Sequence, residues 1–233
     1  MTSNALELVA RLSSRTRAGR SAIAAAALAL LAPIAAQAGA LSYQGQFSND
    51  DELYTLNFSL AQTSVWDVRT LSFAGGLNAA GTDIATGGFA PVLALFMLGA
   101  GLIQLNAGSS NSCGAGLPAD PVSGFCWDAQ MHMTLGAGDY TLVLSQDGNT
   151  PLGSELADGY SQAGQSDYTG QWYLGMSDMR FIQVDGSQRS GAWAFDVQAA
   201  TVPEPPALAL VALALSAMAL RRGRRHINKE QQS

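Results

Sequence analysis

Cys113, Cys126, one central histidine and a surplus of carboxylates are the side chains of the central region best able to do chemistry. His132 sits in QMHMTL between Met131 and Met133. As a triad base it would need a nucleophile, and the chain contains no G-x-S-x-G elbow to supply one. A strand-face histidine is the better reading. No lysine occurs between Gly39 and Ala200, which removes Schiff-base chemistry and a P-loop. Zinc would need more ligands than one histidine and two cysteines, and no C-x-x-C spacing is present. The two cysteines, with twelve residues between them, instead predict a disulfide closing a long loop.

The carboxylates are numerous. Asp50-Asp51-Glu52 forms a dense run, and Asp120, Asp128, Asp147, Asp158 and Asp167 lie in or beside two Gly/Ser/Asn-rich stretches. Hard oxygen ligands of this kind suit calcium, but turn-initiating aspartates are common without it and no D-x-D-x-D-G loop occurs. A structural calcium is therefore a minor reading, and no metal ligand is assigned. The aromatic residues Tyr168, Trp172 and Tyr173 lie at the end of the second stretch and are candidates for sugar contact; Trp66 and Trp193 lie in strand-like segments and read as core.

The elements that would position these groups read as β-strands. Eight segments of alternating or β-rich character recur between glycine-rich breaks: 53–60, 65–73, 92–96, 102–105, 130–135, 140–145, 180–184 and 192–197. In Tyr140–Ser145, Tyr140, Leu142 and Leu144 alternate with polar or smaller residues, and residues 136–139 (GAGD) read as a hairpin-like connection to the strand before. Long helical periodicity is missing between Gly39 and Ala200. The fold class expected is all-β: an antiparallel, jelly-roll-like β-sandwich of about eight strands. Residues 106–124 and 147–170 are too long for hairpin turns and are the places where local function would sit.

The two ends differ from this domain. Arg11–Arg20 is basic, Ala22–Ile34 is apolar, and Ala36 and Ala38 place small residues where a signal peptidase reads. Residues 1–38 are thus a secretory signal peptide with an apolar helix, cut after Ala38. Ala207–Leu220 is a second apolar run. As a helix it spans about 21 Å, short of the ~30 Å hydrocarbon core. Pro203, Pro205 and Pro206 block its extension backward, and the arginines after it predict a cytoplasmic C-terminal side. Residues 39–200 form the domain, residues 201–225 the tail signal and residues 226–233 a polar end. The domain carries three arginines against fifteen carboxylates, a net charge of −12, which disfavours nucleic acid.

Val202-Pro203-Glu204-Pro205, the apolar helix, and Arg221, Arg222, Arg224 and Arg225 together resemble the PEP-CTERM sorting signal. That resemblance implies an exosortase substrate of a Gram-negative, exopolysaccharide-making bacterium. It would be held at the inner membrane by the short transmembrane helix, processed near Pro-Glu-Pro, and released to the cell surface or extracellular matrix. The segments RTLSFAGGLNAAGTDIATGGFAPVLALF, CWDAQMHMTLGAGDYTLVLSQ and GAWAFDV resemble a PEP-CTERM-associated domain, similar to the bacterial pre-peptidase C-terminal β-sandwich. Where that pattern often carries acids, this chain has Ala90 and Asn106-Ala107-Gly108, so the resemblance brings no calcium site with it.

The expected function is a non-enzymatic, exported envelope or matrix protein with a structural or adhesive role. An alternative is a carbohydrate-binding module for exopolysaccharide, using Tyr168, Trp172 and Tyr173. A glycoside hydrolase is a third reading, although nothing in the spacing selects a carboxylate pair.

Overall fold

The computed structural model describes residues 39–108 and 112–201. The signal peptide with its cleavage residues Ala36 and Ala38, the sorting motif Val202–Pro205, the tail helix and the arginines Arg221, Arg222, Arg224 and Arg225 lie outside the described residues. Among the described residues no helix is long and apolar enough to cross a membrane.

Ten strands are present: β1 (Gly39–Gln46), β2 (Tyr54–Leu60), β3 (Ser64–Thr70), β4 (Gly76–Leu77), β5 (Asp83–Ile84), β6 (Pro91–Met97), β7 (Gly101–Ala107), β8 (Gln130–Leu135), β9 (Gly138–Gln146) and β10 (Ala192–Thr201). Eight of them build two antiparallel sheets, ordered β1-β10-β3-β8 and β2-β9-β6-β7. Strands β4 and β5 form a small separate hairpin.

Side-chain alternation makes this a sandwich. In β3 the buried Trp66 and Val68 alternate with Val65, Asp67 and Arg69. In β2 Tyr54, Leu56, Phe58 and Leu60 turn inward while Thr55, Asn57 and Ser59 stay exposed. The two inner faces meet in one core containing Trp66, Val68, Met131 and Phe195 from the first sheet and Leu93, Leu95, Leu142 and Leu144 from the second. Burying each of these side chains contributes about 1.5–3 kcal/mol, which drives the two sheets together. Strands β6 and β9 are buried on both faces because a second cluster, Ala94, Phe96, Val143 and Tyr160, forms outside the second sheet. The continuous apolar run Val92–Phe96 reflects that double burial.

The structure corrects three sequence expectations. Residues 180–184 are not a strand: Phe181 has φ 56°, and only a single bridge joins Ile182 to Gln188. The segment 136–139 does not join a hairpin, because β8 and β9 belong to different sheets. The segment 65–73 leaves the sheet at Thr70, since the N–H groups of Ser72, Phe73 and Ala74 donate to the Asp128 carboxylate (2.8, 3.1 and 2.8 Å) instead of a neighbouring strand.

The registers give the sandwich two unlike poles. Gly39 faces Ala199, Thr201 faces Ser64, and Ser64 faces Leu135, so both ends of the domain lie at one pole. The short connections 61–63, 98–100 and 136–137 lie there too. The longer connections 47–53, 71–90, 108–129 and 147–191 begin and end at the opposite pole, which we call the loop pole, and the last runs back along the second sheet far enough for Ser154 O to accept from Leu102 N at 2.7 Å.

Candidate functional site

The loop pole is organised by buried carboxylates that receive backbone N–H groups. Asp50, fully buried, accepts from Phe181 N (2.6 Å), Thr169 N (2.9 Å) and Thr169 Oγ1 (2.6 Å). Asp51 accepts from Gly164 N at 2.9 Å, and its carbonyl from Asn149 Nδ2 at 3.2 Å. The acidic run is thus a clip that ties the β1–β2 connection to the segment 147–191. Burial pushes the Asp50 carboxyl above the usual carboxylate range, although Thr169 and Phe181 pull the other way.

Asp128 is saturated in the same manner by Thr70 Oγ1 (2.8 Å) and the three N–H groups of residues 72–74. Burial opposes ionisation of Asp120, but Arg189, Ser123 and Thr86 outweigh it and hold its carboxyl well below the ordinary value. Arg189 also lies over the Phe73 ring, 3.8 Å from its centroid, so through Asp120 and Phe73 it joins the first long loop and the connection 71–90 to the segment 147–191. Cys113 and Cys126 are bonded within that first loop. Among the described residues no three His, Cys, Asp or Glu side chains come together as a metal site. Of the carboxylates considered for calcium, Asp50, Asp51, Asp120, Asp128, Asp158 and Asp167 accept from backbone N–H groups in separate parts of the chain.

The sequence-predicted aromatic site is drawn together by a short helix, α1 (Tyr168–Leu174), ended by Gly175 in the left-handed region at φ 65°. Segment 147–191 first lays Tyr160 over the outer face of the second sheet, then returns to the loop pole. Tyr168 and Trp172, four residues apart, share one face of α1 and meet edge to face with centroids 4.9 Å apart. Trp172 is 53% exposed. Its ring lies against Gly148, where a Cβ would come within 2.7 Å of the indole, so only glycine admits this packing. Tyr173 is half-buried.

Tyr168 is a correction. It is 1% exposed, and its hydroxyl donates to the Asp147 carbonyl at 2.6 Å, so it braces Trp172 and cannot face a sugar. Burial, followed by the charges of Asp50 and Asp147, raises its phenol far above the ordinary value. The chain matches no protein-family model and no curated protein. The site therefore has to be read from its own geometry.

That geometry brings Asp147 beside the aromatics. It is half-buried, burial raises its carboxyl, and the donor acting on it is the neighbouring Gly148 N–H. Its charge is felt by the hydroxyls of both Tyr168 and Tyr173. The sequence suggests Asp147 only as one of the acids that would suit calcium, and gives no sign of Gly148 as the floor under Trp172. The aromatic pair at i and i+4 was the signal for both the helix and the bracing. His132 lies far from this pole in role: it is exposed on the outer face of β8, with Nδ1 3.0 Å from Asp67 Oδ2.

Proposed function

We propose that the chain is an exported, non-enzymatic envelope or extracellular-matrix protein with a structural or adhesive role, sorted by exosortase after removal of its signal peptide. The observation that carries this reading is the polarity of the sandwich: Gly39 and Thr201 leave from one pole, and the longer connections occupy the other. In this reading the chain leaves for the membrane from the pole that holds Gly39 and Thr201, not from the loop pole. The PEP-CTERM-like tail and the signal-like N-terminus support the same direction of travel. The strand orders, two facing sets of four in which successive strands, β6 and β7 apart, alternate between sheets, support a jelly roll.

A second reading, a carbohydrate-binding module, is favoured by one observation: an exposed Trp172 braced from behind by Tyr168.

Intact-mass analysis of the native envelope-associated protein tests the main reading. The expected mass begins at Gly39 and ends near Pro203–Pro205, with the disulfide closed. Replacing Pro203, Glu204 and Pro205 by alanine is expected to leave uncleaved protein in the inner membrane. An intact C-terminus on the mature unmutated protein overturns the sorting reading.

A further inference from the structure

Three features of the loop pole converge on one small surface. The first is the Trp172 indole, 53% exposed and fixed by Tyr168 and Gly148. A ring held in this way offers an apolar face at little entropic cost, because its rotamer is already restricted. The negatively polarised face of an indole attracts the C–H groups on one side of a pyranose. The second feature is Tyr173, adjacent on α1 and half-buried, with a phenolic oxygen able to donate and accept.

The third is Asp147. The other carboxylates buried at this pole are saturated: Asp50 and Asp128 by backbone N–H groups and threonine hydroxyls, Asp120 by Arg189, Ser123 and Thr86. Among the described residues Asp147 has only the neighbouring Gly148 N–H as a donor. Its half-buried oxygens keep acceptor capacity that the fold does not use. Vicinal sugar hydroxyls are donors of the matching kind, and a carboxylate accepts strongly from them.

Charge then decides which sugars fit. The domain carries a net −12, and Asp51, Asp147, Asp167 and Asp178 all lie on this pole. Arg180, the nearest cation by sequence, is already drawn toward Asp50 and Asp167. An anionic polymer approaching Trp172 meets four like charges against the single half-buried Arg180, a net repulsion that rejects wrong partners.

Resting on the carbohydrate-binding reading, we infer that Trp172, Tyr173 and Asp147 form a subsite for a neutral pyranose glycan: Trp172 stacks one ring, and Asp147 accepts from its hydroxyls. The test uses the full chain in mild detergent, titrated with cellohexaose, mannohexaose and polyguluronate, with tryptophan emission and retention in glycan-containing gels as readouts. At least one neutral hexaose is expected to shift the emission and slow migration, while polyguluronate does neither. Trp172→Ala is expected to abolish the effect, and Trp172→Phe to keep part of it. Asp147→Asn is expected to weaken binding about tenfold or more, the loss of a hydrogen bond to a charged acceptor. Leu98→Ala, at the opposite pole, is expected to leave binding unchanged. If no hexaose binds, both the module reading and this subsite fall. If polyguluronate binds as well as the hexaoses through Trp172, the module reading stands and the neutral-glycan inference falls. Neutral-glycan binding that survives Trp172→Ala with an unchanged far-ultraviolet spectrum also overturns the subsite.

Discussion

Gly39 and Ala199 are direct cross-strand partners in the first sheet, so the first and last strands of the domain close against each other along β1 and β10. Strand β10 is also central, since β3 pairs with its other side. The sheet therefore needs its C-terminal strand before β1 has anything to pair with. Contacts of this sequence separation make folding slow compared with local hairpins. They also fix the ends on one side of the sandwich and free the other side for connections that carry side chains outward.

Asp50 is expected to be the most sensitive polar residue of the loop pole. Asp50→Ala leaves Thr169 N and Phe181 N buried without an acceptor, at a cost of about 2–4 kcal/mol. Asp50→Asn costs less than alanine, because its amide keeps one acceptor but turns a donor toward a donor. Urea unfolding would show a lowered midpoint at unchanged m-value. A shift under about 0.5 kcal/mol for the alanine variant would refute the clip role.

Opening the Cys113–Cys126 bond is expected to cost about 3 kcal/mol, the loop-closure value for a loop of about fifteen residues. The paired Cys113→Ser, Cys126→Ser variant should remain folded, because Asp120 and Arg189 still tie this loop to its neighbour. Thermal unfolding with and without reductant checks both statements. Reductant should lower the midpoint of the unmutated protein and leave the serine variant unmoved.

What the sequence disclosed and what it hid have physical causes. Alternation disclosed β2 and β3, because each has one face on the core and a one-residue period change would be visible. Strand β1 was hidden: its residues are mostly glycine, serine and glutamine, and only Tyr43 reaches the core, so its conformation is set by β10. RFIQV has strand composition, yet Phe181 N is claimed by Asp50 from more than a hundred residues away. No local signal carries that. Proximity to the long loop agrees with the exposure of Trp172. Tyr168 was misjudged because a seven-residue helix turns it inward, and so short a helix leaves little periodicity to read.

Asp147 is expected to cost stability at neutral pH. Burial raises its folded pKa above the unfolded value of about 3.9, so the folded state holds the proton more tightly. Folding then loses stability as pH rises from about 4 through the folded pKa, and is constant beyond it. Asp147→Asn removes this loss. Its melting temperature relative to the unmutated protein should rise as pH increases from about 4 and level off above the folded pKa. A variant that gains stability while losing glycan affinity is the pattern of a carboxylate retained for binding. A relative melting temperature independent of pH would show that Asp147 is not perturbed by the fold.

The neighbouring ends predict that the chain tolerates a change of origin at one pole and not at the other. Antiparallel partners have Cα atoms about 4.5–5.5 Å apart, so a flexible linker of about six residues can join Thr201 to Gly39 without strain. New ends opened between Gln62 and Thr63, both exposed and at the terminal pole, sever no buried hydrogen bond and leave every strand intact. Such a permutant should unfold cooperatively with a midpoint close to that of the unpermuted domain. Ends opened between Gly148 and Asn149 should not be tolerated. Asn149 is fully buried, its side chain binds the Asp51 carbonyl and the Gln162 N–H, and Gly148 lies beneath Trp172. That permutant should lose the clip on α1 together with the emission of a fixed, braced Trp172. Equal tolerance at both positions would mean that the loop pole is not held as one unit by its buried carboxylates.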